Sequence, residues 1–237
     1  MTDFLGEFFG TAVLILLGNG VVAGVLLGRS KAHNAGWIAV TAGWAFAVMA
    51  GVFTARAIGS KGFVNPVGPV AGLATGVFPL DRAAASVAGE LLGAFVGAVL
   101  VWLHYRPHWA ETPDADAKRA CFCTAPAIRS PLDNVLSEMI GTSVLVLVGS
   151  AILEKETGPG FVAPLGGALV WAIGLSLGGT TGYAINPARD LAPRLAHALL
   201  PIPGKGHSDW GYAWVPVVGP LVGGVAAAWL AKVLMPG

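Results

Sequence analysis

Two asparagines, Asn65 and Asn186, are each followed directly by a proline, and each opens a short apolar stretch, 65–78 and 186–200. Asn is a favoured helix N-cap because its side-chain oxygen accepts an otherwise unpaired N–H of the first turn. Proline is favoured at the first helical position, where no N–H is needed. Pro66 and Pro187 therefore mark helices that start abruptly. With the side-chain oxygens committed to capping, the amide N–H groups are left to donate. They also sit in the field of a helix N-terminus, equivalent to roughly half a positive charge. Such a donor accommodates the oxygen of water or an alcohol and repels cations. Arg189 and Asp190 follow the second pair closely. In a bilayer an arginine costs at least about 2.5–3.5 kcal/mol unless it faces a wet cavity, so Arg189 belongs on a water-filled path.

The elements that position these groups are membrane helices. The chain is 55% hydrophobic and 11% charged, with a mean hydropathy of +0.71, whereas soluble domains carry about a quarter of charged residues. Six apolar runs have about the 20-residue length needed to span hydrocarbon: 4–27, 36–55, 83–104, 132–153, 163–179 and 212–234. The first lacks a basic region before it and a cleavage site after it, so it reads as a retained span. The stretches 65–78 and 186–200 are too short to cross and read as half helices, which membranes tolerate only when buried in protein or lining an aqueous path. Residues 106–131 carry both signs of charge and read as a surface loop with some structure at most. The 34 glycines suit close helix packing.

An internal repeat organises these elements. Glu7, Gly10, Thr11, Val13 and Leu14 recur in register as Glu138, Gly141, Thr142, Val144 and Leu145, and Gly89 and Gly93 are answered by Gly219 and Gly223. Each half holds three spans and one half helix. Three is odd, so the second half enters the membrane from the opposite side and the two half helices meet by their N-termini near the midplane, as in other inverted-repeat proteins. The expected fold is an all-α membrane protein with six transmembrane helices and two re-entrant half helices in an inverted repeat. Residues 1–131 form the first repeat with its connecting loop and 132–237 the second, together one channel domain.

Paired Asn-Pro half helices in an inverted repeat resemble the aquaporin superfamily, and Gly182-Tyr183-Ala184-Ile185-Asn186-Pro187-Ala188-Arg189-Asp190 is similar to the second signature of its glycerol-facilitator branch. The resemblance covers essentially the whole chain. It implies a homotetramer with one pore per subunit, no cofactor, and passage of glycerol, other small neutral solutes and water across the plasma membrane. It assigns Trp44, Tyr183 and Arg189 to the selectivity filter and Asn65 and Asn186 to the midplane donors. Pro66, Val67, Pro187 and Ala188 start the half helices, and Gly62, Phe63, Val64, Gly182, Ala184 and Ile185 line the pore with their backbone. Glu7 and Glu138 become buried acceptors for the re-entrant loops, and Asp190 a structural charge holding Arg189 or neighbouring backbone. Asp at position 190 is the residue that separates glycerol channels from strict water channels in that family.

The first half departs from the family pattern. Its triplet is Asn65-Pro66-Val67, Phe63 stands where a His is common, and Pro69 cannot donate to the Asn65 carbonyl, which frees that acceptor. The two extra methyl groups of Val67 near the midplane contact bear on pore width. The resemblance also places both termini in the cytoplasm, with Arg56, Lys61, Arg82, Lys155 and Lys232 inside and the other nine of the 14 basic residues outside, a bias opposite to the positive-inside expectation. A pore preferring water or a small neutral acid such as lactic acid, and a non-conducting structural membrane protein, remain open alternatives. No nucleophile and base recur at catalytic spacing and no metal-ligand cluster is present in the sequence, which argues against an intramembrane enzyme. A net charge of +1 supports no nucleic-acid partner. Cys121 and Cys123, two apart, read as ordinary thiols.

Overall fold

The protein is described by a computed structural model that covers residues 1–154, 158 and 160–235; Lys155, one of the basic residues in the orientation argument, lies outside the described residues. Nine α-helices follow one another among them: α1 (Thr2–Leu26), α2 (Trp37–Ile58), α3 (Val67–Ala74), α4 (Leu80–His104), α5 (Ala115–Ala120), α6 (Pro131–Glu154), α7 (Val162–Ser176), α8 (Pro187–Leu199) and α9 (Val215–Leu234). The six predicted spans are α1, α2, α4, α6, α7 and α9. Five of them are long and apolar enough to cross a membrane, while α7 has 15 residues. At 1.5 Å per residue α7 is about 22 Å long, short of the hydrocarbon thickness. It ends before Gly178 and Gly179, which the sequence reading had included in the span.

Packing follows the repeat. Helix α1 lies against α2 and α4, and α6 lies against α7 and α9. Each half helix crosses to the other repeat, α3 packing on α9 and α8 on α4. Small residues make the close approaches possible. A Cβ at Gly97 would stand 2.6 Å from the Ala12 carbonyl oxygen, and Cβ atoms at Gly93 and Gly223 would collide with the backbone carbonyls of Phe8 and Met139. Equivalent glycines therefore seat the third span on the first in both halves.

Two features differ from the sequence reading. The first half helix stops at Ala74 instead of continuing to Phe78, because Gly76 adopts a left-handed φ of 77° and the N–H groups of Val77 and Phe78 turn back to the Gly72 carbonyl. The segment 106–131 is no surface loop. It contains a short 3-10 turn (Arg106–Trp109) and α5, and it buries Trp109, Cys121, Phe122 and Cys123. Lys118 and Arg119 are buried along with these apolar residues, while Glu111, Asp114 and Asp116 stay exposed. The two cysteines are free. Burial raises both thiols, that of Cys123 to about 12, which keeps them in the unreactive protonated form.

Candidate functional site

The two Asn-Pro starts face each other at the centre of the bundle. Asn65 Oδ1 accepts from the Val67 N–H at 3.1 Å, and Asn186 Oδ1 accepts from the N–H groups of Ala188 and Arg189, both at 3.1 Å. The amides are not wholly free, as sequence reasoning supposed. Asn65 Nδ2 donates to the Ile185 carbonyl at 2.8 Å, and Asn186 Nδ2 donates to the Val64 carbonyl at 2.8 Å. One amide hydrogen of each asparagine thus ties the two repeats together and one remains for a solute.

The carbonyls that receive these bonds are aimed by unusual backbone. Val64 and Ile185, each immediately before its asparagine, have φ values of 45° and 41°. Left-handed backbone is an outlier for a β-branched residue and costs of order 1–3 kcal/mol. Buried carboxylates hold it. Glu7 accepts from the N–H groups of Gly62, Phe63 and Val64 at 2.9, 3.0 and 2.7 Å. Glu138 accepts from the Thr181 hydroxyl at 2.6 Å and from the N–H groups of Ala184 and Ile185 at 3.0 and 2.7 Å. The loops' carbonyls, with their donors so occupied, are left to line the path.

Sequence reasoning missed a third carboxylate. Glu90, fully buried on α4, accepts from the Asn65 N–H at 3.0 Å. The internal repeat does not mark it, because its counterpart, one residue after Gly219, is Pro220; a lone acid within a span is the signal the sequence offers. In this first repeat Asn65 Oδ1 receives one N–H instead of two, and the Gly68 N–H goes to the Asn65 carbonyl at 3.0 Å, so that carbonyl is not freed by Pro69. Glu90→Gln, which keeps an acceptor, is expected to preserve stability and flux. Glu90→Leu leaves a buried N–H unpaired and is expected to destabilise by about 1–3 kcal/mol, read as a lower melting temperature.

The half-helix C-termini are capped by lysines that sequence reasoning also overlooked. Lys232 donates to the Thr75 carbonyl at 2.8 Å, and Lys205 donates to the carbonyls of His197, Ala198 and Leu200 at 2.7 Å each. Cations there complement the negative ends of the helix dipoles.

A cavity of about 870 Å³ runs past both asparagines and is lined by Trp44, Phe63, Val64, Tyr183, Ala184, Ile185 and Arg189 among others. The Arg189 guanidinium carbon stands 4.3 Å from the centroid of the Trp44 ring. Room for that ring comes from Gly18, where any Cβ would collide with it. Tyr183 packs on Gly174 and meets Trp37 edge-on at 5.7 Å. Both Arg189 Nη1 and the Tyr183 hydroxyl are without a protein hydrogen-bond partner among the described residues. Pro66, Val67, Pro187 and Ala188 are buried behind the wall, and the Val67 methyls fill the space left by Gly224, so the larger triplet residue points to α9 and not into the path. Asp190 pairs with Arg194, at 2.9 Å from Nε and 2.7 Å from Nη2, and accepts from the Thr124 N–H and hydroxyl at 2.7 Å each. It holds the neighbouring loop backbone and Arg194 rather than Arg189.

A helical bundle with two half helices meeting on a lined central path defines an integral membrane channel. The chain belongs to the major intrinsic protein family, whose description, Major intrinsic protein, matches residues 1–231. It is 52% identical to a probable glycerol uptake facilitator protein of Thermotoga maritima over 96% of this chain and 97% of that one. It is 53% identical to glycerol uptake facilitator protein 3 of Lactiplantibacillus plantarum over 98% and 96%. The fold is similar to that of the aquaglyceroporin from Plasmodium falciparum, with a TM-score of 0.85 and 27% identity, covering 99% of this chain and 97% of that one.

Proposed function

We propose that the protein is a passive channel for glycerol and related small polyols, admitting water and excluding ions and protons. The observation that carries this reading is the lining of one cavity by two aromatic residues and a cation, Trp44, Tyr183 and Arg189, with the guanidinium carbon 4.3 Å from the Trp44 centroid. A polyol presents a carbon edge to the rings and oxygens to the donors, replacing the hydrogen bonds it loses to water. The remaining amide hydrogens of Asn65 and Asn186 then receive it at the midplane, where two helix N-termini raise the energy of any cation. The names of the facilitators at 52% and 53% identity support the choice of glycerol. In the same reading the repeats are 1–131 and 132–237, the chain works as a homotetramer in the cell membrane, and both termini face the cytoplasm.

Purified protein in liposomes is expected to accelerate glycerol entry, followed by light scattering, while planar-bilayer recordings stay silent for sodium and protons. A sodium or proton conductance, or glycerol entry no faster than in empty liposomes, overturns the reading.

A further inference from the structure

The cavity lining has a charge pattern that neutral solutes do not require. Arg56, Lys61, Arg82 and Arg189 all line it, and no Asp or Glu does among the described residues. Arg189 belongs to the filter, and Arg82 is held by Asp3 in a two-bond pair at 2.7 and 2.8 Å. Arg56 and Lys61 have no ion-pair partner among the described residues. They stand at the end of α2 and in the connection to α3, on the same side as the N-terminus of α1. Their position is tied to the pore: the Arg56 stem packs on Gly62, where a Cβ would come 2.9 Å from its Cγ, and Gly62 is itself clamped by Glu7 at 2.9 Å.

We propose that this mouth is a binding site for a phosphate monoester of the permeant polyol, held by Arg56 and Lys61, and that its occupancy slows solute flux. The inference rests on the glycerol reading and on the termini facing the cytoplasm. A passive pore gives net uptake only if the solute is consumed on the far side. The reaction class that traps a neutral polyol there is phosphoryl transfer from a nucleoside triphosphate to one of its hydroxyls, the nucleoside diphosphate leaving and the hydroxyl proton passing to solvent. The product keeps the remaining hydroxyls of the permeant and gains a dianion. A guanidinium fork and an ammonium match that dianion, while the hydroxyls extend toward Asn65 and the mouth is filled.

Isothermal titration of the solubilised protein with glycerol phosphate measures binding without reference to flux. Glycerol entry into liposomes with glycerol phosphate on both faces measures the block. Expected are saturable binding and saturable inhibition, absent with sulfate at equal ionic strength. Arg56→Gln and Lys61→Gln are each expected to weaken binding about tenfold through loss of a charge-assisted contact, with inhibition expressed relative to each variant's own ligand-free flux. Raising the salt to several times the working concentration should weaken both effects. The proposal is overturned by absent binding, by inorganic phosphate binding as tightly as the monoester, by unchanged affinity in the double variant, or by a block that requires phosphatidylglycerol in the vesicle and not the soluble monoester. Binding in a parent protein that passes no glycerol would overturn the channel reading and leave the site standing.

Discussion

Replacing Arg189 by Val is expected to convert a selective pore into a leaky one, with cation and proton currents rising by about a hundredfold or more and polyol discrimination lost. The guanidinium is the fixed charge on the cavity wall nearest the Trp44 ring. At 4 Å and an effective dielectric of about 20, a unit charge repels a cation by about 4 kcal/mol, or about a thousandfold in rate; the half-helix ends left in place keep part of the barrier. Glycerol loses charge-assisted hydrogen bonds of roughly 1.5–3 kcal/mol. Trp44 also loses a cation–π partner, so the ring gains freedom and the filter widens. Parallel measurements of glycerol, urea and larger-polyol entry, with membrane current, read each effect. A variant as selective and as electrically silent as the parent removes Arg189 from the filter. In the companion change Tyr183→His, the smaller polar ring is expected to shift the glycerol-to-water flux ratio toward water.

What the sequence disclosed about this site follows from which signals are local. An Asn-Pro pair is a local start signal, and it places the second half helix to the residue, with Asn186 as N-cap and Pro187 first, while the first begins one residue later, at Val67 after Pro66. Glu7 and Glu138 were visible because the repeat prints them twice. Glu90 and Arg194 have no such echo, and their importance lies in partners distant along the chain, the Asn65 N–H and the Thr124 carbonyl. The amide-to-carbonyl ties between Asn65 and Ile185, and between Asn186 and Val64, depend on left-handed backbone at two β-branched residues, a conformation their own preferences oppose. The segment 106–131 misled for a related reason. Its polar composition suggests exposure, and only the fold shows Trp109 and Phe122, with Lys118 and Arg119, turned inward.

That segment is fastened to the second half helix by Asp190, and its removal is expected to give the largest loss of stability. Asp190 and Arg194 are both fully buried. Arg194 also donates to the carbonyls of Ser208 and Thr124 at 2.8 and 2.9 Å, so the pair joins α8 to the chain on both sides. In Asp190→Leu the guanidinium stays buried without its counter-ion, a loss of about 3–5 kcal/mol, and the Thr124 N–H and hydroxyl lose their acceptor. The melting temperature should fall by about 10 °C or more. The double variant Asp190→Leu with Arg194→Met removes the stranded charge as well. It is expected to recover part of the loss, since an apolar replacement of a buried ion pair is often near neutral, with the remaining deficit coming from the carbonyls of residues 124 and 208. If Asp190 instead acted mainly on Arg189, removing Arg194 would restore nothing and the double variant would be no more stable than the single. Melting curves of the parent, both single variants and the double, completed by glycerol entry for each folded protein, distinguish the two arrangements by the sign of the coupling between positions 190 and 194.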